Sequence, residues 1–255
     1  ITDRALVRTR KEGSKIASIE MNDGSVFSAP IFVDASYEGD LLAQAGVRYI
    51  VGRESRETYG ETLAGFRLEQ VRDFSKETMS KGCPCVGEDG PHYVHGAPCK
   101  IRGLDEDGRP IAGVVRTAAL AGSGDGLTQA YNFRFCATQR RELRVPWPKP
   151  DRYDPRDYEL LLRLIAAYPD IRFSRLVHLG KLANGKFDLN AQGLMSTDYV
   201  GANTAYPDGD QKVRRQSYEE HRTYLQGYFW FLSHDERVPA RLRAETQSWG
   251  LCKDE

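Results

Sequence analysis

No apolar run in this chain approaches the roughly 20 residues needed to cross a bilayer. No basic start followed by an apolar stretch marks a secretion signal. Excess charge is also missing: 36 Lys and Arg balance 36 Asp and Glu. No overall field therefore recruits nucleic acid or an anionic membrane, and nucleic acid is not expected as a partner. Cysteine is sparse, with five residues (Cys83, Cys85, Cys99, Cys136 and Cys252) in 255. That odd number in a chain of this size excludes dependence on a disulfide framework. It favours a reducing, cytoplasmic compartment slightly and leaves a secreted or periplasmic one open. Neither Cys136, set in an aromatic strand pattern, nor Cys252, near the end of the chain, reads as a nucleophile. Repeats and low-complexity tracts are absent. What remains is a globular composition with 40% hydrophobic residues, enough for one large domain or two small ones.

The first stretch reads as a β-meander: strands at 1–7, 15–21 and 25–27, the last two joined by a turn at Asp23-Gly24. The unbroken apolar run Ile31-Phe32-Val33 then suits a parallel strand buried on both faces. A helix follows over Asp40 to Ala45, closed by Gly46. Another strand is expected from Val47. Residues 81–126, rich in Gly, Pro and charge, read as long loops. In 129–137 the alternation of Tyr131, Phe133 and Phe135 with Asn132, Arg134 and Cys136 predicts a strand with one aromatic face. Asp154-Pro155 opens a helix to about Tyr168, with Tyr158, Leu161, Leu162 and Ile165 as its apolar stripe. A second helix is predicted over 215–233 and a third from Pro239 to before Gly250. The expected fold class is therefore mixed, α+β with one α/β step at 31–45: strands to about residue 140 and helices after about 154.

The segment Phe32-Val33-Asp34-Ala35-Ser36-Tyr37-Glu38-Gly39-Asp40-Leu41 resembles the second cofactor-contacting motif of FAD-dependent oxidoreductases of the glutathione-reductase-like superfold. There, small residues and free backbone N–H groups at a strand end let the dinucleotide approach. The resemblance is to one branch in particular, a bacterial FAD-dependent oxidoreductase family described as xanthan-lyase-like. Further blocks in the right order are Gly52-Arg53-Glu54, Tyr59-Gly60-Glu61-Thr62, Gln129 to Arg134, Val145 to Pro150, Gly193 to Gly201 and Trp249 to Glu255. The resemblance implies FAD as cofactor, a small-molecule substrate and hydride transfer between the two. It also implies cofactor contacts from Asp34, Ala35, Ser36, Glu38, Gly39 and Asp40, with 1–46 as part of a Rossmann-like FAD-binding layer and 47–255 as a substrate-side region. The family's G-x-G-x-x-G does not occur: Gly122-Ser123-Gly124-Asp125-Gly126 has the wrong spacing. On this reading the chain is expected to be the middle portion of its parent, trimmed at both ends, with doubtful FAD binding and activity by itself.

Other constellations carry alternatives. Arg53, Tyr59, Asn132 and Arg134 are candidate catalytic or substrate-holding residues, Arg134 by grip on an anionic or hydroxyl-bearing group; surface ion pairs and a solvated strand face explain them equally. Cys83, Cys85, His92, His95 and Cys99 crowd soft or borderline ligands into one loop that would suit zinc or iron, or is a loop with incidental cysteines. Trp147, Trp230 and Trp249 would serve a non-catalytic carbohydrate- or partner-binding piece if two of them formed an exposed coplanar pair. His178 and His221 are lone histidines, and His221 on its helix stripe reads as a hydrogen-bonded core residue.

Overall fold

The computed structural model describes residues 4–66, 102–114, 120–192 and 195–255, together with the backbone of two short strands at 93–94 and 97–98. The candidate metal ligands Cys83, Cys85, His92, His95 and Cys99 all lie outside the described residues. Two compact units divide the chain, residues 1–51 and 52–255.

In the first unit, β1 (Leu6–Glu12), β2 (Lys15–Met21) and β3 (Val26–Phe27) form an antiparallel sheet in that order. The meander is as expected, but β1 starts later than the apolar signal suggested. Its Arg-Thr-Arg-Lys-Glu end is polar because both faces are largely solvated. Helix α1 (Asp40–Gln44) follows, capped by Ala45 and then Gly46 at φ 77°, the left-handed conformation that suits glycine. Two side chains of β1 hold its C-terminal end. Thr9 Oγ1 donates to Gln44 Oε1 at 3.2 Å, and Lys11 Nζ donates to the Ala45 carbonyl at 2.5 Å.

The expected parallel strand at 31–33 does not form. Residues 31–35 have no ladder partners, and Ile31 and Val33 are 76% and 80% exposed. A strand exists only through bonds to a neighbouring strand, and none of the described residues supplies one. The strand expected from Val47 is missing for the same reason, with Val47, Tyr49 and Ile50 about half exposed. Among the described residues of this unit only Ser18 is buried.

The second unit begins with α2 (Arg56–Tyr59), closed by Gly60 at φ 71°. After the paired strands β4 (Tyr93–Val94) and β5 (Ala97–Pro98) comes a five-stranded sheet. It comprises β6 (Phe135–Thr138), β7 (Arg144–Val145), β8 (Val177–Lys181), β9 (Lys186–Ala191) and β10 (Gly250–Cys252). The order is β7-β10-β6-β9-β8, every neighbour antiparallel. The predicted strand over 129–137 is thus confined to its end, and 129–134 carry no strand pairing.

Helices were expected after about residue 154, yet that stretch contributes three of these five strands. The β8–β9 hairpin turns at Asn184 and Gly185, φ 58° and 71°. Asn-Gly is the favoured pair for a turn with two positive φ values, so the hairpin had a sequence signal.

Helices pack on this sheet. Asp154 accepts from Arg156 N at 2.9 Å and caps a 3-10 turn (Pro155–Tyr158) that runs into α3 (Glu159–Ala167). Short α4 (Phe173–Leu176) precedes β8. The long α5 (Gln211–His234) starts at Asp210, whose carboxylate accepts from Lys212 N and Val213 N at 2.9 Å each, and α6 (Ala240–Gln247) leads into β10. One core joins Ala137 and Leu189 of the sheet to Leu161, Ile165, Phe229, Leu232 and Leu242 of the helices. Each large apolar side chain so buried contributes about 1.5–3 kcal/mol. On α3, Leu164 is buried where the stripe named Leu162, which is only partly covered.

Candidate functional site

The acidic turn from 34 to 40 is built around one carboxylate. Asp34 Oδ1 accepts from Ser36 N at 3.0 Å and Ser36 Oγ at 2.7 Å, while Oδ2 accepts from Leu41 N at 3.1 Å and Leu42 N at 3.2 Å. Ser36 Oγ in turn accepts from Gly39 N at 3.0 Å. These bonds, led by the Ser36 hydroxyl, hold the Asp34 carboxyl below the usual carboxylate range. Gly39 sits at φ 68°, and a side chain there would meet Leu42 Cδ2 at 2.8 Å. Ala35, Ser36 and the wholly solvated Tyr37 are exposed; Glu38, Gly39 and Asp40 are half-buried. The amides of Leu41 and Leu42 at the start of α1 are therefore spent inside the turn.

Arg53 is engaged across the second unit. Its guanidinium makes a two-point ion pair with Asp125, Nε to Oδ1 at 3.0 Å and Nη2 to Oδ2, and its plane faces Phe66 at 5.4 Å. The pairing depresses the Asp125 carboxyl. Backbone bonds continue it: Arg53 N to Asp125 O at 2.9 Å, Arg56 N to Gly122 O at 2.8 Å, Phe66 N to Ser123 O at 2.8 Å. Glycine is required where these backbones touch. A Cβ on Gly124 would lie 2.7 Å from Arg53 O, and one on Gly52, at φ 102°, 2.9 Å from Gly126 Cα. The glycine-rich segment excluded as a phosphate loop thus clasps 52–66. Tyr59 is 71% exposed beside this clasp.

Asn132 and Arg134 meet the β8–β9 hairpin. Asn132 Nδ2 donates to Asn190 Oδ1 at 3.2 Å and to Asp198 Oδ1 at 2.7 Å. Arg134 pairs with Asp188. Asp198 is brought to Asn132 by the long helix, since Tyr224 Oη donates to Ser196 O at 2.8 Å and Tyr228 Oη to Met195 O at 2.9 Å. Tyr199 stacks on Tyr224 at 4.2 Å. Buried His221 has Nδ1 2.7 Å from the Ser217 carbonyl and meets Tyr199 edge to face, in keeping with a core role. His178 is exposed.

No exposed tryptophan pair forms. Trp147 is 4% exposed and stacked on Phe229, and Trp249 is 6% exposed, between Phe173 and Phe187. Trp230 stacks on His234. The sugar-stacking expectation fails because these rings supply the core.

Sequence reading missed a cavity of about 170 Å³ in the second unit. Phe133, Phe135, Trp147 and Phe229 form its walls, with Arg222 and Gln226 the polar donors among its lining. Phe133 packs edge to face on Tyr218 at 4.8 Å. The aromatic alternation at 131–135 and the spacing of Tyr218, Arg222, Leu225 and Phe229 on one helix were its only signals. Among the described residues, no group of three or more His, Cys, Asp or Glu is placed to hold a metal, and no helix is long and apolar enough to cross a membrane.

Compared with known families, residues 1–252 match the model described as FAD dependent oxidoreductase. The chain belongs to the FAD-dependent oxidoreductase family. Searches of curated proteins and of solved structures each find no match. Membership makes this a redox protein of an FAD-using enzyme family, with the Rossmann-like FAD-binding fold that the family implies. The family resemblance read from the ordered blocks of the sequence is borne out at that level. The residues of 34–40 are compatible with FAD: Ala35 and Ser36 are small and exposed beside the exposed Tyr37, and the carboxylates of Glu38 and Asp40 are of a type that accepts hydrogen bonds from hydroxyls.

Proposed function

We propose that the acidic turn from Asp34 to Asp40 contacts the hydroxyl-bearing part of FAD, and that the protein moves a hydride between a small organic substrate and the flavin. Separately, within the second unit, the aromatic cavity is of a kind that receives a small organic molecule. Bound FAD supplies a two-electron acceptor or donor. The observation that carries the reading is the Asp34-centred turn, folded on its own hydrogen bonds within a chain of this family. Asp34 holds the loop in one shape, Ala35 and Ser36 admit close approach, and Glu38 and Asp40 accept hydrogen bonds from hydroxyls. In the cavity, Phe133, Phe135 and Trp147 exclude water, while Arg222 and Gln226 donate to a carboxylate or carbonyl. Arg53 and Arg134, paired with Asp125 and Asp188, act in this reading as structural ties, and Asn132 positions the segment around Asp198.

Titration of the purified chain with FAD, read by quenching of flavin fluorescence, tests the turn. Hydrogen bonds to charged groups contribute about 1.5–3 kcal/mol, so the Glu38→Gln/Asp40→Asn variant is expected to bind about ten-fold or more weakly. An affinity equal to that of the unaltered chain, or no saturable binding by the latter, overturns the assignment.

A further inference from the structure

We infer that Cys136 and Cys252 are an oxidisable pair that closes to an intramolecular disulfide, tying the central strand β10 to β6. The register places them opposite each other. Gly250 faces Thr138 and Leu251 faces Ala137, so the next antiparallel position sets Cys252 against Cys136. Directly opposed residues have Cα atoms about 4.5–5.5 Å apart, inside the span of about 4.4–6.8 Å that a disulfide bridges. Opposed residues also share a face of the sheet. Along β6 the side chain of Cys136 alternates with those of Phe135 and Ala137 and takes the face of the sheet that Thr138 also takes.

The backbone fixes which kind of pair this is. Lys253 N donates to Leu143 O at 3.0 Å, so Lys253 bonds towards β7 and its neighbour Cys252 towards β6. Such hydrogen-bonded positions hold their Cβ atoms at the wide end of the cross-strand range. A disulfide there is strained and correspondingly easy to reduce, as suits a reversible link.

The groups around the thiols set the rate. Burial first, then neighbouring carboxylates, raises both thiols: Glu255 and Asp188 act on Cys136, Asp254 and Glu255 on Cys252, with Lys186 opposing at each. Arg144 stands opposite Cys252 on β7. Closure is therefore slow near neutral pH and quickens as pH rises.

With a low-molecular-weight disulfide as oxidant the chemistry balances. The thiolate of Cys136, the more exposed of the two, attacks one sulfur of the reagent and forms a mixed disulfide, releasing one thiol. Cys252 thiolate then attacks Cys136 Sγ and displaces the second thiol. Two protein thiols are oxidised, and one reagent disulfide is reduced to two thiols that take the two protons.

The test incubates the full chain with oxidised glutathione at neutral and alkaline pH, then maps peptides after alkylation. The expected product is a peptide pair joining Cys136 to Cys252, lighter by two hydrogens, formed faster at the higher pH and reopened by dithiothreitol. Recovery of both residues alkylated, or each carrying its own glutathione without a joined peptide, overturns the inference. So does a joined peptide that appears only after unfolding in urea.

Discussion

Replacement of Gly227 by Ala would test how α5 meets the start of α3. In a solvated helix this change gains about 1 kcal/mol, since glycine is the poorer helix former. Here the space is taken. Tyr158, 2% exposed, packs its ring on Tyr224 and Phe231 and donates its hydroxyl to the Tyr224 carbonyl at 2.8 Å. A methyl on residue 227 would overlap that hydroxyl and lie 2.8 Å from Cζ and 3.2 Å from Cε2. Forcing a group into a filled core costs about 1–3 kcal/mol, and displacing the hydroxyl from its acceptor costs about 1–3 kcal/mol more. Set against the helix gain, the net is a loss of about 1–5 kcal/mol. Urea unfolding followed by the fluorescence of Trp147 and Trp249, both in this core, measures it. Adding Tyr158→Phe removes the nearest atom, so the double variant should recover part of the loss, with a coupling of about 0.5–3 kcal/mol. A Gly227→Ala protein as stable as the original, or more so, would refute the packing argument.

Three further outcomes follow from the site. Asp34→Ala removes the acceptor of the Leu41 and Leu42 amides and is expected to cost about 1 kcal/mol of local stability, seen as faster hydrogen exchange at those two amides. Because the folded carboxyl titrates below the usual value near 3.9, the capping contribution is complete above about pH 3.9 and is lost as pH falls through the depressed value. Amide shifts of Leu41 and Leu42 that ignore acidification would contradict this. Gly124→Ala should destabilise the second unit by about 1–3 kcal/mol by forcing two backbones apart, while Arg53→Ala, a partly exposed pair, should cost no more than about 1 kcal/mol. Unfolding midpoints in the reverse order would show that the ion pair, not the glycine contact, holds the clasp.

Parts of this were legible from local chemistry. Asp154-Pro155 is a cap that works through a backbone amide two residues on, so the helix start it marks does not depend on distant partners. Asp210 is as local a cap but was not used, and the long helix starts at Gln211 where 215 was expected. The apolar stripe of α5 was readable from its spacing, as was the central place of the Asp34 to Asp40 segment in the family resemblance. Asn184-Gly185 was equally local and simply not used. The strand at 31–33 could not be read this way: three apolar residues in a row describe a strand only if ladder partners exist, and hydrophobicity does not name them. The site residues divide similarly. Arg53 and Arg134 were visible as charged candidates, but their partners lie 72 and 54 residues away, beyond any spacing argument.

The sequence by itself determined the FAD-dependent oxidoreductase family, through short blocks in a fixed order, and the helices whose ends are written in adjacent residues. Tertiary structure alone decided that Asp34 spends its oxygens on amides that include two of α1, that a glycine-rich loop clasps Arg53, that aromatic residues distant in sequence line one cavity, and that β10 pairs with β6. Each of these depends on which distant groups share a volume. Local periodicity fixes the direction a side chain takes, and only the folded chain supplies what it meets there.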